Sequence, residues 1–386
     1  MFIQRDIEKV LMEAYSCFPV LTIVGPRQSG KTTLIKNLFK TLPYFSLEDL
    51  DVRRMAEEDP RGFLSQSPQG AILDEIQNIP DLLSYIQGIV DANEDVHYIL
   101  SGSSQFSMMK SVSQSLAGRT GVFELLPFSY PEIQNLAETK SIDELIVDGF
   151  YPAIYSGRNN RRFLYQSYVK TYLERDVRQL LNVGNIDAFQ KFIRLCATRI
   201  GSLFNASDLS NEIGVSSKTI KSWLSVLQAS YVVVLLQPFY ENIDKRLTKT
   251  PKLYFVDTGL ACYLLGIETV EQLGRDRARG HLFENFIIME ALKHRYNQAK
   301  DNNLFFYRDS NQNEVDLVLK NENGLNAIEV KSSQTYSPEF EKGIKTFCSV
   351  VKQDIKTKAI IYTGEIENTS REIQLVNYKN IGSLFG

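Results

Sequence analysis

A chain of 386 residues exceeds what one hydrophobic core usually supports, so two or three domains are expected. Hydrophobic residues at 43% and charged residues at 23% are globular proportions, which exclude a disordered or membrane-embedded chain. A formal net charge of −3 excludes a globally basic nucleic-acid binder but leaves local basic patches open.

At the N-terminus Arg5, Asp6, Glu8 and Lys9 interrupt the apolar core that a signal peptide would need. Runs such as Tyr231–Leu236 fall far short of the roughly 20 apolar residues of a membrane-crossing helix. The four cysteines have no CxxC spacing and read as buried thiols rather than a zinc ribbon or a disulfide framework. A cytoplasmic protein without a membrane partner is expected.

Over residues 1–130, short apolar runs alternate with amphipathic stretches, the pattern of βα units around a parallel sheet. Strands are predicted at Val20–Val24, Tyr44–Leu47, Ala71–Leu73, Tyr98–Leu100 and Val122–Leu125. The first strand runs into Gly25-Pro26-Arg27-Gln28-Ser29-Gly30-Lys31-Thr32-Thr33, which satisfies GxxxxGK[ST] and opens a helical stretch. Such a P-loop wraps the phosphates of ATP with its backbone N–H groups, Lys31 neutralises β and γ oxygens, and the Thr32 hydroxyl ligates Mg²⁺.

The third strand ends in Asp74-Glu75. Alone, two acids there are a solvated strand end; behind a P-loop they resemble a Walker B motif. Asp74 then holds Mg²⁺ through water, and Glu75 acts as general base on the attacking water. The fourth strand closes in hydroxyls, of which Ser103, rather than Ser101 or Ser104, is the candidate for the γ-phosphate or the lytic water. Leu116–Arg119 offers a cation ahead of the fifth strand. Arg119 is either an arginine presented to the γ-phosphate, worth about 10³ to 10⁵ in rate, or a surface residue. Action in trans would imply a homo-oligomer.

Residues 131–270 read as a helical region followed by a winged helix-turn-helix. Leu209, Ile213, Val215, Ile220, Trp223 and Leu227 are spaced for one buried face around a turn at Gly214, and Glu241–Pro251, with Lys245, Arg246 and Lys249, resembles a wing. One reading has Lys218, Lys221 and that loop contact DNA, aided by Arg158, Arg161, Arg162, Arg175 and Arg178; the other is a packing or dimerisation module.

In residues 271–386, Glu314-Val-Asp316 and Glu329-Val-Lys331 lie on two consecutive predicted strands, whose period of two puts each pair on one face. Asp316 and Glu329 are candidate Mg²⁺ ligands, and Lys331 a candidate to activate hydroxide against a phosphodiester. With Glu284 on the preceding helix, the set resembles the PD-(D/E)xK nucleases, whose restriction-endonuclease-like fold it implies. Cross-strand ion pairing explains the same residues blandly.

The order GPRQSGKT, LDEIQ, SGSS, LAGR and PFSY resembles a prokaryotic family of AAA-type ATPases with a C-terminal domain of restriction-endonuclease-like fold. Asp148–Pro152, Tyr172–Asp176 and Tyr254–Gly259 extend the resemblance along the whole chain. The expectation is an α/β multi-domain protein: a P-loop NTPase parallel sheet, a helical and winged-helix middle, and an α/β nuclease-like end. Its expected function is Mg²⁺-dependent ATP hydrolysis coupled to a nuclease-like module acting on DNA. The alternative is a signalling or scaffold ATPase that oligomerises with ATP and whose C-terminal domain only binds.

Overall fold

The computed structural model describes residues 2–93, 95–103, 112, 114–157, 160–173, 186–240 and 250–385. Ser104, Arg158, Arg175, Arg178, Lys245, Arg246, Lys249 and the end of the Tyr172–Asp176 motif lie outside the described residues. The chain divides into two compact units, Met1–Phe128 with short pieces at 229–231 and 296–300, and the remainder.

The first unit is built on β1 (Val20–Val24), β2 (Tyr44–Ser46), β3 (Ile72–Asp74), β4 (Tyr98–Gly102) and β5 (Thr120–Glu124). All pair in parallel, in the order β2-β3-β4-β1-β5. Every residue of the apolar run VLTIV is buried, as a central parallel strand covered on both faces requires. α1 (Glu8–Tyr15), α2 (Lys31–Leu38) and α3 (Leu82–Ala92) accompany the sheet. Ile7 and Leu11 from around α1, and Leu34 and Ile35 from α2, form one core with Leu21, Ile23, Ile72 and Ile99.

The second unit begins with helical elements only, among the described residues, through α4 (Ile186–Ala197). α5 (Ala206–Ile213) and α6 (Ser217–Ala229) follow, with Gly214 between them at φ 82°, a left-handed position that suits glycine. Leu209, Ile220, Trp223 and Leu227 are buried, and Trp223 packs on Phe189 and Phe192 of α4.

β6 (Val233–Pro238) and β7 (Lys252–Phe255) are antiparallel, but they do not form a free-standing wing. β6 pairs with β8 (Leu304–Arg308), so both belong to a mixed seven-stranded sheet with β9 (Glu314–Asn321), β10 (Gly324–Lys331), β11 (Ile355–Tyr362) and β12 (Gln374–Asn377). The middle and C-terminal regions thus share one sheet across the expected boundary at 270/271. The reason lies in composition: Leu253 to Phe255 are wholly apolar or aromatic and fully buried, which an exposed wing could not accommodate. α7 (Thr258–Leu265), α8 (Arg279–Asn297) and α9 (Lys342–Val350) also belong to this unit.

Asp257 links two of the motifs that carried the resemblance. It caps α7 by accepting from Leu260 N at 2.8 Å and accepts from Phe150 N at 2.7 Å. Gly149 and Gly259 close around the Tyr165 hydroxyl, where an added Cβ would fall 2.1 and 2.2 Å from that oxygen. Asp148–Pro152 and Tyr254–Gly259 therefore interlock as a packing clasp. Arg161, expected on a basic face, instead pairs with Asp148 at 2.5 Å.

Cys196 and Cys262 are buried as expected, whereas Cys17, just past α1, is exposed. Among the described residues no helix is long and apolar enough to cross a membrane.

Candidate functional site

Parallel pairing puts the carboxyl ends of β1, β3 and β4 on one edge, the place where open α/β sheets bind ligands. Val24 is level with Gly102, and Asp74 with Ser101. At that edge the chain after β1 curls sharply. A Cβ on Gly25 would lie 2.2 Å from Leu125 O, and Gln28 and Gly30 take left-handed φ of 64° and 94°. Ser29 Oγ is buried without a hydrogen-bond partner among the described residues. Arg5, only 4% exposed, donates to Ser29 O at 3.0 Å and Leu126 O at 2.8 Å, tying the loop to the chain beyond β5.

Lys31 is buried, and its ammonium donates to the carbonyls of Gly25 and Pro26 at 2.9 and 2.8 Å. Burial lowers its pKa to about 8, partly opposed by Glu75 and Asp74. Arg27 lies 3.8 Å from Glu48, while Gln28 and Thr33 are exposed at the loop's rim.

Three hydroxyls converge on Asp74. Thr32 Oγ1 and Tyr44 OH donate to Oδ2 at 2.7 and 2.8 Å, and Ser101 Oγ donates to Oδ1. Glu75 sits at φ 57°, a left-handed conformation that costs a non-glycine residue about 1–3 kcal/mol. That conformation aims its carboxylate at Ser103 Oγ, which donates at 3.1 Å, and at the Gln77 amide, which donates to the same oxygen. Ser101 therefore serves Asp74, and Ser103 serves Glu75. The glycine cradle, the orphaned Ser29 hydroxyl and the paired Thr32 and Asp74 fit a magnesium-bound nucleotide: the loop and Lys31 would hold phosphate, Thr32 and Asp74 the ion.

In the second unit Glu284, Asp316, Glu329 and Lys331 do come together, but with a further residue among them. Lys252, 1% exposed, places its ammonium 2.9 Å from Glu284 Oε1, 3.9 Å from Asp316 Oδ1, and against Glu314. Tyr254 donates to the same Glu284 oxygen. Burial raises the Glu284 pKa, but Lys252 and the hydrogen bonds from His281 and Tyr254 together outweigh it, and the carboxyl ends at about 2. On the other side Lys331 lies 2.5 Å from Glu329 Oε1 and 4.0 Å from Asp316 Oδ2, and Val330 N donates to that Asp316 oxygen at 2.9 Å.

A divalent metal does not fit this arrangement. Two ammonium groups occupy the space between the acids, and no group of three metal-ligating side chains is disposed to hold an ion among the described residues. Beside Asp316, one of the two expected metal ligands, β7 delivers a cation that strand spacing in residues 271–386 could not reveal.

Burial pushes the Asp316 pKa up to about 6 and that of Glu329 up to about 8. A folded pKa raised from 4.5 to about 8 contributes stability that is full below 4.5 and lost as pH rises through 8. Glu329→Gln should therefore gain stability relative to the wild type as pH rises across that window. Urea melts at both ends would check this, and parallel curves for the two proteins would contradict it.

Comparison with known proteins agrees with the first site and leaves the second open. A family model described as an AAA domain matches residues 18–134, and two domains of unknown function, DUF8612 and DUF4143, match residues 139–271 and 279–381. The uncharacterized protein Rv2008c of Mycobacterium tuberculosis is 30% identical over 368 residues, spanning 94% of this chain and 80% of that protein. This chain belongs to the same family. The uncharacterized protein MJ1544 of Methanocaldococcus jannaschii is 23% identical over 401 residues, 94% of this chain and 86% of that one. Among solved structures, the Walker-type ATPase PABY2304 of Pyrococcus abyssi aligns with a TM-score of 0.47 at 12% identity, covering 68% of this chain and 96% of that one. By the family model, residues 18–134, which include the P-loop, are an AAA-type domain.

Arg119 is not brought to the P-loop of its own chain. It precedes Thr120, which is level with Val20, and its carbonyl accepts from Val20 N at 3.2 Å, so it stands at the opposite end of β1 from Gly25. Five residues at about 3.3 Å each separate those ends. Its guanidinium pairs with Asp91 at 2.8 Å. Arg5, Tyr44 and Lys252 were missed by sequence reasoning, Ser101 was weighed and set behind Ser103, and Tyr254 was named only within the Tyr254–Gly259 motif. A usable signal existed for Lys252 and Tyr254, since they are polar residues two apart in a strand otherwise apolar, and so share a face.

Proposed function

We propose that the AAA-type domain binds ATP with Mg²⁺ at Gly25–Thr33 and hydrolyses it in the cytoplasm. The observation that carries this reading is the hydrogen bond between Thr32 and Asp74, which joins the P-loop helix to the acid-ended strand across 42 residues of sequence. Magnesium, when bound, neutralises charge on the β and γ phosphates. Lys31 turns from the Gly25 and Pro26 carbonyls to phosphate oxygens. Thr32 and Asp74 would hold the ion, with Asp74 oriented by Tyr44 and Ser101. Glu75, aimed by its left-handed backbone, takes a proton from water.

Glu75→Gln is expected to slow turnover by about 10² to 10⁴ with nucleotide affinity nearly unchanged, since a general base acts on the water and not on the bound phosphates. Phosphate release and nucleotide titration would be compared, and undiminished turnover would remove Glu75 from this role. We assign Arg119, which stands away from the P-loop of its own chain, to a neighbouring chain's site in a homo-oligomer.

For the C-terminal domain, the Lys252 ammonium favours a module that binds over a nuclease that cuts. Lys218 and Lys221, exposed on α6, are the surface we assign to DNA backbone contact. Duplex, single-stranded and branched DNA should be retarded on a gel yet remain uncut with ATP and Mg²⁺. A cleavage product that disappears with Lys331→Ala would restore the nuclease reading.

A further inference from the structure

Lys252 does not lie at the margin of the acid cluster. Its ammonium contacts Glu284 and Glu314, is 3.9 Å from Asp316, and lies 5.4 Å from the centre of the Phe306 ring. These carboxylates come from two elements, α8 and β9, and the lysine from a third, β7. Four acids, Glu284, Glu314, Asp316 and Glu329, are met by Lys252, by Lys331 and by Arg308, which is 3.5 Å from Glu314. Charges taken out of water in this way persist only when each has a close partner.

The backbone holds Lys252 where it is. It is level with Leu236 of β6 and bridges to Leu203, while Gly201 N donates to Leu253 O at 2.9 Å and Phe204 N to Pro251 O at 2.8 Å. Withdrawing the side chain would uncover three carboxylates, and withdrawing the backbone would break the pairing with β6 on one side and the bridges to Ile200 and Leu203 on the other. An oxygen-ligated divalent cation needs several oxygens free to face it, and here Glu284 Oε1, Glu314 Oε1 and Glu329 Oε1 face nitrogen, leaving Glu329 Oε2 as a buried acid oxygen without a hydrogen-bond partner among the described residues.

We propose that Lys252 is a built-in counter-cation standing in the place of a divalent metal, so that the C-terminal cluster is a closed, metal-independent ion-pair core. Lys252 is also what closes it: without the ammonium, Glu284, Glu314 and Asp316 would converge as an oxygen site for an ion such as Mn²⁺. This rests on the same geometry as the binding-module reading, but the two can fail separately.

The test is Mn²⁺ titration of the full-length, nucleotide-free chain, read by the signal of free Mn²⁺ in electron paramagnetic resonance. Asp74→Asn is present throughout to remove the P-loop's acid. That chain should take up no stoichiometric Mn²⁺, whereas adding Lys252→Gln should create about one site per chain, lost again with Asp316→Asn. A folded Lys252→Gln chain that gains no Mn²⁺ overturns the proposal. If that variant does not fold, the Asp74→Asn chain decides alone: Mn²⁺ uptake abolished by Asp316→Asn overturns the proposal, and no uptake upholds it. DNA cleavage by a chain that binds no Mn²⁺ at the cluster would sink the binding-module reading and leave this one standing.

Discussion

Lys31→Ala is expected to weaken ATP binding by about 10- to 100-fold, because a charge-assisted hydrogen bond to phosphate is worth about 1.5–3 kcal/mol. The loss should extend to turnover, since the same ammonium faces the β and γ oxygens whose charge grows as the bond breaks. A second effect separates this site from a fortuitous glycine turn. Lys31 fills the centre of the loop and donates to the Gly25 and Pro26 carbonyls, so alanine also leaves those carbonyls unpartnered. The empty protein should melt slightly earlier, and added nucleotide should recover less stability than in the wild type. Fluorescent-nucleotide titration and nucleotide-dependent melting read the two effects separately. Unaltered affinity would remove Lys31, and with it the P-loop, from nucleotide binding.

Lys252→Met should have the largest effect on stability. Removing one partner of a buried ion pair costs about 3–5 kcal/mol, because the remaining charges stay buried without compensation. Here three carboxylates would be left. At roughly 2–4 °C per kcal/mol for a unit of this size, the melting temperature should fall by about 6–20 °C. Lys331→Met makes the comparison instructive. Its side chain is one-third exposed, so water screens what remains and the loss should be distinctly smaller. Thermal melts of both variants at neutral pH test the ordering. Equal losses, or no loss for Lys252→Met, would mean that the cluster is solvated in a way its burial contradicts.

What could be read along the chain was what is local to it. Gly25–Thr33 carries its own constraints in nine consecutive residues, and the run Ala71–Leu73 ahead of Asp74 announces a buried strand with acids at its end. The parallel sheet followed from the same periodicity, and its edge unites residues whose strands were each recognisable alone. Ser101 and Ser103 could not be told apart in that way. They differ only in which acid the pairing of β3 with β4 sets beside them.

Arg119 and Lys252 mark the limit from opposite directions. Arg119 lies near the motifs in order along the chain, yet β5 begins where β1 begins, and the parallel sheet carries the arginine to the end away from the phosphate loop. Lys252 precedes Glu284 by 32 residues, in a stretch that read as part of another domain, yet the β6 and β7 pair joins the C-terminal sheet and turns the lysine into the acids. Backbone chemistry and hydrophobic period act over a few residues, so they are written in the chain itself. Which charges become neighbours depends on strand order and direction, quantities that exist only once distant segments have paired.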